Sequence, residues 1–165
     1  MRYLWFSLIA LVCGMLVSTT AIKSLIFDIN CESYLKSAAD APTVELAATE
    51  LDIAINWFTE HYPTEGYSCF IFKKRDQDVG NWYRRLVAAR SDLDTITEDS
   101  SGLERSNMLM KLRETLLDGS NTGDKVTLPL NIAIFPHQWL WSCLFFVGAF
   151  IGCICILILF GRLTN

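Results

Sequence analysis

Two histidines, His61 and His137, and two cysteines outside the long apolar runs, Cys31 and Cys69, are the side chains best suited to chemistry near neutral pH. A zinc site would need three or four of them to converge. Cys31, His61 and Cys69 are the only set the chain offers, and no two are spaced as a CxxC or HxxxH pair would be. In an oxidising compartment the same two cysteines would serve as a disulfide. Closing a step of 38 positions would contribute about 3–4 kcal/mol by the loop-entropy account; two unpaired thiols are the alternative. His61 falls at the end of a helical pattern and His137 beside an apolar run, and each place has a structural use for an imidazole.

Other chemical patterns fail on spacing. Gly119-Ser120-Asn121-Thr122-Gly123 sets its serine one position early for a nucleophile elbow. Asp118, Ser120, Thr122 and Gly123 match a calcium loop until its last position, where Pro129 stands in place of a bidentate glutamate. No glycine-rich phosphate loop is present. These residues therefore point to no catalytic group, no metal and no cofactor.

Charge is more informative. Lys73, Lys74, Arg75, Arg84, Arg85 and Arg90 cluster around Trp82 and Tyr83, and Asp92, Asp94, Glu98 and Asp99 follow at once. The cluster suits docking of an acidic partner or of anionic headgroups, with a solvated helix face laced by local ion pairs as the plainer reading. A net charge of −4 argues against nucleic acid as a partner.

Helices must position these groups. A short helix is expected over 30–40, capped by Asn30, with Cys31, Leu35 and Ala38 on one face. After Pro42, the spacing of Val44, Ala48, Leu51, Ile55 and Phe58 predicts a helix to about His61, ended by Pro63 and Gly66. Val79, Trp82, Leu86 and Leu93 predict a third over 78–96. Ser101 and Glu104 form a capping box that opens a fourth, through Leu103, Leu109, Leu112, Leu116 and Leu117 to Gly119. Short connections make these a small bundle. The segments 67–72 and 126–136 break the helical period, and the alternation of Val126, Leu128, Leu130, Ile132 and Ile134 suggests that they pair as a two-stranded ribbon, with Pro129 restricting the second to an edge or an extended strap.

The two ends of the chain are of another kind. Residues 140–160 are 21 positions without a charge, about the thickness of a bilayer's hydrocarbon core when helical. His137, Gln138, Trp139 and Trp141 precede them as an interfacial belt would. At the other end Arg2 is followed by no charge until Lys23. A cleaved signal peptide ending near Ala21 is the competitor, but apolar character continues through Ile22, Leu25, Ile26 and Phe27, which favours a retained anchor. Gly148 and Gly152 form a GxxxG stripe, and Ala10, Gly14 and Ser18 repeat the same four-residue step, so each run has a face along which another helix can approach closely. Cys13, Cys143, Cys153 and Cys155 are small apolar fillers of these runs.

The expected architecture is mainly α: an N-terminal transmembrane helix and juxtamembrane segment (1–27), an extramembrane helical domain with a short two-stranded element (28–137), and a C-terminal transmembrane helix with a short tail (138–165). All 18 acidic residues but, with Arg2 and Arg162 set aside, only 12 of the 14 basic ones lie between the runs, a balance of −6. Both termini are assigned to the cytoplasm and the domain to the other side of a membrane of the bacterial inner-membrane type. The expected role is a non-enzymatic accessory or scaffold subunit, whose partners are the lipid bilayer and other membrane proteins or a second copy of the chain. A membrane-anchored sensory or ligand-binding domain is the alternative, weakened because the chain ends just past the second run without an output domain.

Overall fold

The computed structural model describes residues 2–69, 73–97, 99–120, 123–137, 139–140, 142–143 and 146–148, with the side chains of 2–13, 16, 120 and 123 outside the description. It is mainly helical with one small antiparallel ribbon. Helix α1 (Arg2–Phe27) does not stop where the apolar run stops. It passes through one π-helical turn (Asp28–Glu32) into α2 (Ser33–Ala39), with helical backbone angles at both joints.

The expected Asn30-capped helix is thus the upper end of a continuous one. Asn30 sits inside the π turn and its side-chain amide donates to the Ile26 carbonyl at 2.8 Å. No glycine or proline falls between Gly14 and Pro42 to end the helix sooner. The wider turn also has a packing role. Phe27, Cys31 and Leu35 are buried at successive steps of four, and in a regular α-helix each such step would drift about 40° around the axis. The extra residue per turn absorbs that drift and keeps all three toward the core.

Helix α3 (Val44–His61) begins at Thr43, whose hydroxyl accepts from Leu46 N at 3.3 Å. Val44, Ala47, Leu51, Ala54 and Phe58 are its buried face. Ala47 and Ala54 therefore occupy the places expected of Ala48 and Ile55, which are half-buried; two methyls in line let α2 lie close. Helix α4 (Val79–Asp94) is capped by Asp78, which accepts from Asn81 N at 3.0 Å, and buries Val79, Trp82, Leu86, Ala89 and Leu93. Both arms of the Ser101–Glu104 capping box are made at the start of α5 (Gly102–Leu116). That helix buries only Leu112 and Leu116, and Leu103, expected in its stripe, is 71% exposed. Helices α2 to α5 form the expected small bundle.

The ribbon is built from other residues than expected. Strand β1 (Leu117–Ser120) follows α5 directly and pairs with β2 (Gly123–Val126), Leu117 opposite Val126 and Gly119 opposite Asp124. The small polar segment 118–125 forms this hairpin, with residues 121 and 122 outside the described residues. Of the 67–72 segment, Tyr67 makes a single bridge with Asp78 and 70–72 lie outside the described residues. The 126–136 segment is a strap: Thr127 N donates to Leu116 O at 2.8 Å, and Trp82 Nε1 donates to Thr127 O at 2.8 Å. It ends in a 3₁₀ turn (Ile132–Ile134) that packs on α1.

Among the described residues no helix is long and apolar enough to cross a membrane. The described side chains of α1 are Gly14, Met15 and 17–27, fewer than a span requires, and 15 of the 21 residues of the second apolar run lie outside the described residues.

Phe58 is fully buried against the rings of Tyr62, Trp82 and Tyr83. Phe58→Ala is expected to cost about 3–5 kcal/mol, whereas Leu103→Ala should stay within about 0.5 kcal/mol of wild type. Chemical denaturation of the full chain in detergent checks both.

Candidate functional site

The residues singled out for chemistry do not converge. His61 is exposed at the end of α3, stacked on Trp57 with ring centroids 4.7 Å apart, its Nδ1 2.9 Å from the Trp57 carbonyl. His137 is exposed after the 3₁₀ turn. Cys31 is buried in the core, while Cys69 is half-buried in the loop before α4. Both are free thiols, which is the unpaired reading of the two that the sequence left open. Cys31 belongs instead to the face that α2 and the π turn press against α3. Burial, and secondarily the charge of Glu32, pushes its thiol up to about 12, so it is protonated and a poor nucleophile at neutral pH. Among the described residues no group of three His, Cys, Asp or Glu side chains is placed to hold a metal ion.

The structure does form two grooves, one on each side of the 125–129 strap. The larger, about 820 Å³, lies between α1 and the strap, with Val17, Thr20, Ser24, Asp28 and Glu32 on one wall and Lys125, Leu128, Leu130 and Ile134 on the other. Apolar side chains share its lining with the charged Asp28, Glu32 and Lys125. Burial raises the Glu32 carboxyl above its ordinary range, helped by the charge of Asp28 and a hydrogen bond with it; Lys125 and Lys36 pull the other way. The second groove, about 590 Å³, runs between the strap and the start of α4, over Trp82, and gathers Arg75, Arg85 and Lys125 with Asp76 and Asp118. Neither groove pairs a nucleophile with a base, and what the second can do is hold an anion among its cations.

The basic cluster divides in the fold. Arg90 turns inward between helices, its Nε 2.7 Å from Asp52 of α3 and its other arm on Asp94. Hydrogen bonds to those two carboxylates raise its already high pKa. Lys73, Lys74, Arg75, Arg84 and Arg85 are exposed, and among the described residues none of the five joins an ion pair. Lys73 sits 5.5 Å from the centre of the Tyr67 ring, a contact that leaves its charge outward. A second clip, Arg113, joins Asp40 at the end of α2 (2.7 Å) to Asp124 of β2.

The small-residue stripes stand apart from the bundle. Gly14 is exposed with open space where a side chain would start, and Ser18 is exposed with its hydroxyl donating to Gly14 O at 2.8 Å. Gly148 is half-buried; Gly152 and the Ala10 side chain lie outside the described residues. Sequence reasoning passed over Asp28, Glu32 and Lys125, which line the larger groove. The four-residue step between the two acids was the available signal, but only the fold brings Lys125 across to them.

Comparison with protein-family models, with curated proteins and with solved structures finds no match in any of the three. The functional reading therefore rests on the residues and their placement.

Two outcomes follow. In the native chain Cys31 should resist maleimide at neutral pH and become reactive only on denaturation, as read by intact mass. A carboxyl whose pKa is raised by folding strengthens the fold when protonated and weakens it as pH climbs through the raised value. Glu32→Gln should therefore stabilise the chain at pH 7, and the gain should shrink on acidification toward the ordinary glutamate range, as followed by thermal unfolding across pH.

Proposed function

We propose that this chain is an integral membrane protein that acts without catalysis, as an accessory or scaffold subunit of a membrane protein complex. Its two apolar runs cross the bilayer, both termini lie in the cytoplasm, and the helical domain of residues 28–137 stands on the other side. Lipid surrounds the runs, and a second membrane protein or a second copy of the chain docks on their small-residue faces.

One observation carries this reading: both apolar runs leave the domain at the same end. Phe27 closes α1 against Trp57 and Tyr62, with ring centroids 5.9 and 5.7 Å away. The Tyr62 hydroxyl in turn donates to Ala133 O at 3.0 Å, in the turn from which the chain departs toward the second run. Two apolar runs that begin at one end of the domain are what a two-span anchor requires.

The character of the emerging surfaces agrees. Met15, Val17, Ile22, Leu25 and Ile26 on α1 and Ile29 in the π turn are all exposed, as are Trp139, Phe146 and Val147 at the start of the other run. So much uncovered apolar surface calls for lipid or a partner. Three hydroxyls of α1 are already satisfied: Ser18, Thr19 and Thr20 donate to carbonyls three or four residues back, which lowers the cost of placing them in hydrocarbon. Trp57, His61 and Tyr62 collect at the same end, where interfacial aromatics belong.

The larger groove favours the second reading, a membrane-anchored sensory or ligand-binding domain, because its volume is that of a small-molecule site. A domain of that kind should show a ligand-dependent rise in melting temperature.

The scaffold reading expects the full chain to stay in vesicles through alkaline carbonate and to co-purify with stoichiometric partners in mild detergent. Gly14→Ile with Gly148→Ile and Gly152→Ile should release those partners without lowering the melting temperature of the domain. Extraction by carbonate would overturn the anchoring, and partners retained by the triple variant would overturn the helix-face docking.

A further inference from the structure

The exposed basic cluster has a definite height relative to α1. Helices α3 and α4 run antiparallel, with Asp52 on Arg90 at 2.7 Å, the Phe58 and Trp82 ring centres 5.0 Å apart, and the Thr59 and Tyr83 oxygens 3.5 Å apart. The Phe58 to Thr59 level is also the level of Phe27, whose ring lies between Trp57 and Tyr62. Trp82 and Tyr83 therefore stand level with Phe27. Helix α4 begins one turn lower at Val79, and Lys23 is one turn below Phe27, each a step of about 6 Å. Arg84 and Arg85 lie just above the Phe27 level. Lys73, Lys74 and Arg75 come just before α4, where the Ser68–Gln77 and Gly66–Val79 backbone bonds hold their loop.

We infer that Lys73, Lys74, Arg75, Arg84 and Arg85 form a docking surface for the anionic headgroups of the leaflet from which α1 emerges. This rests on the reading that α1 crosses the bilayer. If the charge-free run ends at Lys23, the cluster spans the height from Lys23 to just above Phe27. That interval matches the headgroup layer, about 5–7 Å thick on each side of the hydrocarbon.

Charge at this level fits lipid phosphate. Asp78 is committed to capping α4, and Asp76 is the other carboxylate within the cluster's own stretch of chain. The acidic groups that balance the cluster in sequence, Asp92 and Asp94, are carried to the opposite end of α4 and paired there with Lys111 and Arg90. Folding thus separates charges that adjoin in the chain, and leaves the positive set at the end where both apolar runs emerge. Each basic side chain at an anionic surface favours binding about fivefold, and their flexible stems can reach phosphates from either side of the layer.

The test uses the full chain in vesicles of two parts phosphatidylcholine to one part phosphatidylglycerol, re-extracted in mild detergent with its retained lipids counted. Wild type should hold phosphatidylglycerol at least about fivefold above its bilayer ratio. The enrichment should fall near about 0.5 M salt, where screening shortens to roughly 4 Å. The variant carrying Lys73→Gln, Lys74→Gln, Arg75→Gln, Arg84→Gln and Arg85→Gln should return to the bilayer ratio, while Lys36→Gln with Lys111→Gln, at the far end of the domain, should not. Both variants should unfold at the wild-type temperature.

A chain that enters the vesicles yet retains both lipids in the bilayer ratio overturns the headgroup surface and leaves the anchoring intact; one that stays out of the vesicles fails at the anchoring. Equal enrichment in the cluster variant also overturns the inference. So does loss of an acidic protein from that variant with no change in lipid, which would assign the cluster to protein docking.

Discussion

The ring of Phe27 ties the two regimes of this chain together. Below it α1 exposes leucine, isoleucine and valine; above it the same helix buries Cys31, Leu35 and Ala38 against α3. The ring packs edge-on against Trp57 and Tyr62, and Tyr62 reaches across to the strap that leads out of the domain. Because the helix is not interrupted at this point, the π turn alone adjusts which side faces the core. Removing the ring would open the base of the bundle where three segments meet.

Ionic contacts act above that base as clips between elements. Arg90 holds α4 to α3 through Asp52, and Arg113 holds α5 to the end of α2 and to β2. All are partly open to solvent, and pairs of this kind contribute modestly to stability. Their effect is positional. By using Arg90 and Lys111 to absorb Asp92 and Asp94, the fold keeps the remaining arginines and lysines of the cluster facing outward.

Local rules were easy to read in the sequence. The helices over 44–61, 78–96 and 101–119 sit within a few residues of their expected places, because caps at Thr43, Asp78 and Ser101 and the prolines and glycines around them act over single turns. Interactions between distant segments were not. Asn30 reads as a cap until Phe27 and Cys31 draw it into a continuous helix. Segment 118–125 shows no strand pattern because its residues are polar, yet Leu117 and Val126 at its base are apolar and pair across the hairpin. Alternation over 126–134 suggested a strand, while Pro129 already allowed an extended strap, and a strap is what forms, turning at the left-handed Asn131. For the site, types of residue were visible and heights were not: that Arg84 stands just above the level of Phe27 depends on the register of α4 on α3.

The unbroken helix from Arg2 to Ala39 also has a mechanical meaning. Its 38 positions make a rod of about 57 Å, rooted at one end in whatever surrounds the apolar run and locked at the other into the bundle. A tilt of about 10° at the root would swing the tip by roughly 10 Å, carrying the domain with it. No glycine or proline lies between Gly14 and Ala39 to absorb the motion, so a displacement of the root would be carried directly into movement of the bundle.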